Sequence, residues 1–188
     1  MESHYFLALP VPAPLTQPLN EWLLSRRAGL PFKNWVAPED YHITLHFLGK
    51  ASVDQRAQIH HDLPSAIEKI PCFTLQATHF GFFGEQQAPR IFWVGLEQEE
   101  ELNRLQKESG VVCQRAGFTL ETRPYRPHIT VARRWQGTST LILPFFDEVG
   151  KPSNWTWIAD RVVLYQTHLD RTPKYEAIQS YGLNKVNR

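Results

Sequence analysis

Along the chain, apolar and polar positions switch between a helical and a strand period, and the switches mark out the elements. The run HYFLAL (4–9) stops at Pro10 and reads as a central first strand. Leu15, Leu19, Trp22, Leu23 and Arg26 follow at helical spacing, which predicts a helix over 14–27. Its early prolines suit a first turn, and Gly29 closes it. HITLHFL (42–48) alternates with period two and ends at Gly49. Ser52 and Gln55 then write a capping box. The helix they open is expected to turn Val53, Ala57, His60 and Ile67 to one side and to bend at Pro64. Residues 73–83 and 90–96 are rich in β-formers and flank a turn-like GEQQAP, a hairpin pattern.

Leu102, Leu105, Val112 and Ala116 share a face of the next helix, which Gly117 terminates. HITVAR (128–133) is another strand, followed by a loop through Gly137 and Pro144. Residues 155–169 and 174–183 read as a last antiparallel pair. Mixed elements without regular βαβ alternation predict an α+β fold with mostly antiparallel sheets and amphipathic helices on the outer faces. The 188 residues carry no short repeat or low-complexity linker, so one bilobal domain over 1–188 is expected.

Composition narrows the classes. A net charge of +1 argues against a broad nucleic-acid or membrane surface and leaves room for a local basic site. Cys72 and Cys113 have neither metal-ligand spacing nor a disulfide framework, so buried free thiols are expected. The start MESHYFLALPVPAPL lacks a basic region and has prolines within its apolar part, a poor signal peptide. No apolar run has the length of a membrane span. A cytoplasmic protein is expected, without membrane attachment.

One phrase stands out because the chain writes it twice: His42-Ile43-Thr44-Leu45 and His128-Ile129-Thr130-Val131. Side chains alternate across a strand, so His42, Thr44 and His46 are expected on one face, with Ile43, Leu45 and Phe47 on the other. His128 and Thr130 likewise share a face. A single His-x-Thr on a strand is more often structural than catalytic; the recurrence favours chemistry. Histidine titrates near neutrality, so of two converging imidazoles one can accept a proton while the other donates. A phosphodiester suits such a pair, with threonine hydroxyls donating to its non-bridging oxygens. The scheme needs no metal and no cofactor.

Paired His-x-Thr-hydrophobic motifs in a chain of this length resemble the two-histidine phosphoesterase superfamily. The phrases YFLALPVP, EDYHITLHFLG and RPHITVAR are similar to those of its bacterial and archaeal RNA 2',3'-cyclic phosphodiesterases, also called 2'-5' RNA ligase-like proteins. The resemblance spans roughly Tyr5 to Gly182. It implies two α+β lobes with pseudo-twofold symmetry lining a central cleft, one motif on each. The implied activity is metal-independent hydrolysis of an RNA terminal 2',3'-cyclic phosphate to a 2'-phosphate. His42 would protonate the leaving 3'-oxygen, His128 would activate water, and Thr44 and Thr130 would hold the phosphate. Arg133, five residues past His128, would bind phosphate or substrate. Phe47, at the same offset from His42, could stack a base, although its parity equally suits the core. Substrates would be RNA 3' ends or nucleotides bearing a 2',3'-cyclic phosphate, and a monomer is expected.

The other polar residues carry weaker readings. His46 is expected to be structural. Arg123, Arg126 and Arg134 with Tyr125 fit an RNA end or a solvated loop equally well. His60 and His61 are expected at the surface, and His4, His79 and His168 in structural roles. Trp22, Trp93, Trp155 and Trp157 are assigned to the core. Three competitors remain: an RNA-end binding protein with little turnover, a ligase running the chemistry in reverse, and a metal hydrolase built on His42, His46 and His128. The last lacks a carboxylate at convincing spacing.

Overall fold

A computed structural model describes residues 3–138, 140 and 155–185. The loop expected through Pro144 lies outside the described residues. In chain order the elements are β1 (His4–Pro10), α1 (Ala13–Arg26), β2 (Phe32–Trp35), β3 (His42–Gly49), α2 (Val53–Ile67), β4 (Phe73–Glu85) and β5 (Ala88–Leu96). Then come α3 (Glu100–Arg115), β6 (His128–Trp135), β7 (Thr156–Ala159), β8 (Arg161–Thr167) and β9 (Tyr175–Gly182). The strands form an antiparallel sheet in the order β7-β4-β5-β6-β3-β1-β8-β9, with β2 added on β6. This is the expected α+β class. The β3–β6 pair divides the sheet path into two halves of four strands, and each motif strand is the inner edge of its half.

The chain does not fill one half and then the other. β2, written between β1 and β3, pairs with β6 in the opposite half. α3, written between β5 and β6, packs against β3 and α2, and α2 also touches β9. α1 lies on the other half, where Trp22 stacks on Phe80 of β4 at 4.3 Å.

Local signals explain most boundaries. The Ser52 hydroxyl accepts from the Gln55 N–H at 3.1 Å and the Gln55 side chain accepts from the Ser52 N–H at 3.0 Å, the expected capping box. Gly117 follows α3 at φ +88, a left-handed conformation that glycine adopts without steric cost. Leu102, Leu105, Val112 and Ala116 of the expected α3 face are all buried. The expected α2 face is corrected. Val53, Ala57 and His60 are exposed, and Ile59, Leu63 and Ile67 form the buried stripe. Those three recur at i, i+4 and i+8, the true apolar seam, while the first turn projects into solvent. The short strand β2 was not foreseen, because four residues with two exposed polar ones carry almost no periodic signal.

Candidate active site

β3 and β6 run antiparallel with Ile43 opposite Ile129, so the second residue of one motif faces the second residue of the other. An antiparallel pair in this register has a local twofold axis between the two isoleucines. One step either way, His42 falls across from Thr130 and Thr44 across from His128. Both isoleucines are fully buried, and the histidines and threonines beside them are half-buried. The four motif side chains thus lie on one face.

The match extends beyond the motifs. β3 carries a bulge where Ala8 pairs with Thr44 but Leu7 pairs with His46, leaving Leu45 as the extra residue. β6 carries one where Trp93 pairs with Thr130 but Phe92 pairs with Ala132, leaving Val131 extra. The two bulges sit at the same motif position. Each reverses the alternation, so His46 and Ala132 turn inward while Phe47 and Arg133 swing out. Simple alternation had put His46 with His42 and Phe47 in the core; both are corrected. Phe47 is 61% exposed and pairs across from Phe6, whose ring contacts His42 at 4.8 Å. It therefore stands on the histidine face.

His46 is 6% exposed, and its Nε2 lies 2.7 Å from the Gln106 carbonyl of α3, which accepts the ring proton. Gly110 makes room, since a Cβ there would come within 3.0 Å of His46 Cε1. The role expected for His46, a structural one, is what the contact describes.

Each catalytic candidate is held in the same way. His42 Nδ1 lies 2.7 Å from the Asp40 carbonyl, and His128 Nδ1 lies 2.7 Å from the Arg126 carbonyl. A carbonyl only accepts, so Nδ1–H donates in both rings and Nε2 is left to exchange protons. His42 Nε2 is 3.1 Å from Thr44 Oγ1. Burial, opposed by the Asp40 hydrogen bond and reinforced by the charges of Arg133 and His128, pushes His42 down to about 4. Burial likewise lowers His128, against its bond to Arg126 and with help from Arg133. One guanidinium therefore acts on both imidazoles. A bound phosphate anion would reverse its influence.

The walls of the two halves differ. Around His42 stand Phe6, Tyr165 and Tyr175, with ring centroids at 4.8, 6.2 and 5.1 Å. Around His128 stand Phe83 at 5.0 Å and Trp93 at 6.0 Å. Trp93 had been assigned to the core. It shares the face of Thr130 instead, and its indole lies over Gly81 on β4, where a Cβ would collide with it. That mid-strand glycine was the legible sign of a close approach.

Asp40 also escaped the sequence reading. It is 4% exposed, and its carboxylate accepts from the N–H groups of Lys174 (2.8 Å) and Tyr175 (3.0 Å), at the start of β9. One residue thus fixes His42 through its carbonyl and Tyr175 through its side chain. Tyr125 donates to the Thr44 carbonyl at 3.0 Å, tying the loop before β6 to the first motif. Arg123 pairs with Glu121 at 2.6 Å on the surface, and Arg134, exposed, adopts φ 63. Among the described residues no group of three or more His, Cys, Asp or Glu is arranged to hold a metal ion. None of the described helices is long and apolar enough to cross a membrane.

Two imidazoles with matched tautomers, two hydroxyls and a guanidinium gather on one face, an arrangement able to exchange protons and to hold an anion. The chain belongs to the 2'-5' RNA ligase superfamily, whose family model matches residues 12–171. It is 38% identical over 184 residues to an RNA 2',3'-cyclic phosphodiesterase of Geobacillus stearothermophilus, a match covering 96% of this chain and 57% of that protein. A Bacillus subtilis protein of the same name is 34% identical, with 98% of both chains covered. Among solved structures, Escherichia coli LigT complexed with 3'-AMP superposes with a TM-score of 0.81 at 23% identity, covering 98% of this chain and all of that one. TT0787 of Thermus thermophilus gives 0.79 at 19% identity, with 98% of this chain and all of that one covered.

Proposed function

We propose that His42 and His128 hydrolyse the 2',3'-cyclic phosphate at an RNA end, without a metal, to leave a 2'-phosphate. Kinship gives the class: relatives spanning this whole chain are named RNA 2',3'-cyclic phosphodiesterase, and this chain is an enzyme of that kind. The residue roles rest on the matched Nδ1 clamps, which leave both Nε2 atoms as the proton-carrying groups. His128 Nε2 takes a proton from water as the water oxygen bonds to phosphorus. The P–O3' bond breaks, and His42 Nε2–H gives its proton to the departing 3'-oxygen. Thr44 and Thr130 donate to the non-bridging oxygens, where charge develops, and Arg133 balances it. Phe47, exposed on the same face, offers a ring to a base.

His42 must be protonated to act as the acid, yet burial holds its pKa at about 4. A bound phosphate supplies the correction. The anion offsets Arg133 and favours the charged imidazole, raising the pKa of His42 so that its Nε2 can carry the proton the leaving oxygen takes. The test is an oligoribonucleotide ending in a 2',3'-cyclic phosphate, with the product identified. A 2'-phosphate, formed equally well with a chelator present, supports the reading. A 3'-phosphate reverses which oxygen leaves. Tight binding without turnover replaces the enzyme with an RNA-end binding protein.

A further inference from the structure

The catalytic apparatus is matched across its local twofold axis: two His-x-Thr motifs, two carbonyl clamps and two bulges at the same position. A 2',3'-cyclic phosphate is also nearly symmetric, since its 2'- and 3'-oxygens flank phosphorus in one five-membered ring. Matched histidines facing a near-symmetric ester cannot by themselves select which oxygen leaves. Selection needs a polar difference between the two sides.

Arg133, with Phe47 at its counterpart position, supplies one, and the walls supply another. The His128 wall, Phe83 and Trp93, brings no hydroxyl to the site, and the indole N–H of Trp93 is buried. On the other side, Tyr165 stacks on Phe6 at 5.2 Å and Tyr175 meets both Phe6 and His42 edge-on, at 4.9 and 5.1 Å. No hydrogen bond joins either tyrosine hydroxyl to a described residue. Burial raises the pKa of both, so both remain O–H donors at neutral pH. Asp40 holds the backbone of Tyr175 and the ring of His42 together, so this donor keeps a fixed place beside the proposed acid.

We propose that Tyr165 and Tyr175 set the regiochemistry of cleavage, by donating hydrogen bonds to the ribose and base of the terminal nucleoside and so turning its 3'-oxygen toward His42. The inference rests on the acid–base reading above. It makes the two tyrosines specificity-determining residues and leaves proton transfer to the histidines.

The experiment hydrolyses 2',3'-cyclic AMP with the wild type, Tyr165→Phe, Tyr175→Phe and the double variant, separating 2'-AMP from 3'-AMP by chromatography. The removed hydroxyls have no partner among the described residues, so the variants are expected to melt like the wild type. Losing one neutral donor should raise the minor 3'-AMP fraction roughly 2- to 10-fold, and losing both should raise it further. Trp93→Phe, on the opposite wall, should leave the ratio unchanged whatever its rate. A double variant that still cuts and yields the wild-type ratio overturns the proposal while leaving the acid–base reading intact. A wild type that does not hydrolyse the ester overturns both.

Discussion

Phe47 and Arg133 stand at the same step of two bulged strands, five residues past His42 and His128. The scaffold treats them alike and the side chains do not: one is an exposed aromatic ring, the other a cation whose charge reaches both imidazoles. The matched frame gives the site two proton-carrying groups. The mismatch gives it polarity.

Replacing either histidine tests the frame. His42→Ala and His128→Ala are each expected to lower kcat on a nucleoside 2',3'-cyclic phosphate by about 10²- to 10⁴-fold, the usual contribution of a positioned acid or base. Circular dichroism should show both variants folded, because the rings are half-buried at strand starts. Near-normal turnover in both would refute the mechanism.

Arg133 should appear in the pH profile. Burial lowers both histidines and Arg133 adds to it, so both limbs of the kcat/KM bell are expected below pH 6.5, the lower one near 4. Arg133→Met removes that charge, and the sign is fixed: both limbs move to higher pH. The check is kcat/KM across pH 4–9 for both proteins. Unmoved limbs would show that the guanidinium acts elsewhere.

Phe47 carries almost no packing, so Phe47→Ala should leave the melting temperature unchanged. A lost base stack is worth about 1–3 kcal/mol, which predicts an affinity loss of roughly 5- to 150-fold for an RNA end. Fluorescence anisotropy with a labelled oligonucleotide reads it. Undiminished affinity would remove Phe47 from the binding surface.

Acid should weaken the fold partly through His46. Burial lowers its pKa below the ordinary 6.5, outweighing its bond to Gln106. Below pH 6.5 the unfolded chain therefore binds more protons at this position than the folded one. The stabilisation is complete above that pH and is lost as pH falls toward the folded value. Melting temperatures of the wild type should fall between pH 7 and 5, and those of His46→Gln should fall less. His42 and His128, also lowered, account for the remainder.

The motifs, capping box, hairpin and class of fold were all legible because each rests on a local pattern. What failed to show was set by partners distant in sequence. The bulges at Leu45 and Val131 depend on how β1 and β5 pair with the motif strands, and a two-residue period cannot announce them. That single device moved His46, misplaced by alternation, into the core and brought Phe47 out. Asp40 looked like an ordinary acidic loop residue, since its partners lie 134 and 135 positions away. Trp93 was read by hydrophobicity alone, although Gly81 hinted at the ring laid across it.

The interleaving of the two halves bears on how the molecule comes apart. The His42 half takes its outer strands from the end of the chain and its covering helix from between two strands of the other half, while β2 crosses the opposite way. The halves are braided, and no single cut separates them into two pieces that each keep their own sheet and cover. Loosening either half frays the other, so calorimetry should record one transition, and a protease nick should leave no surviving fragment.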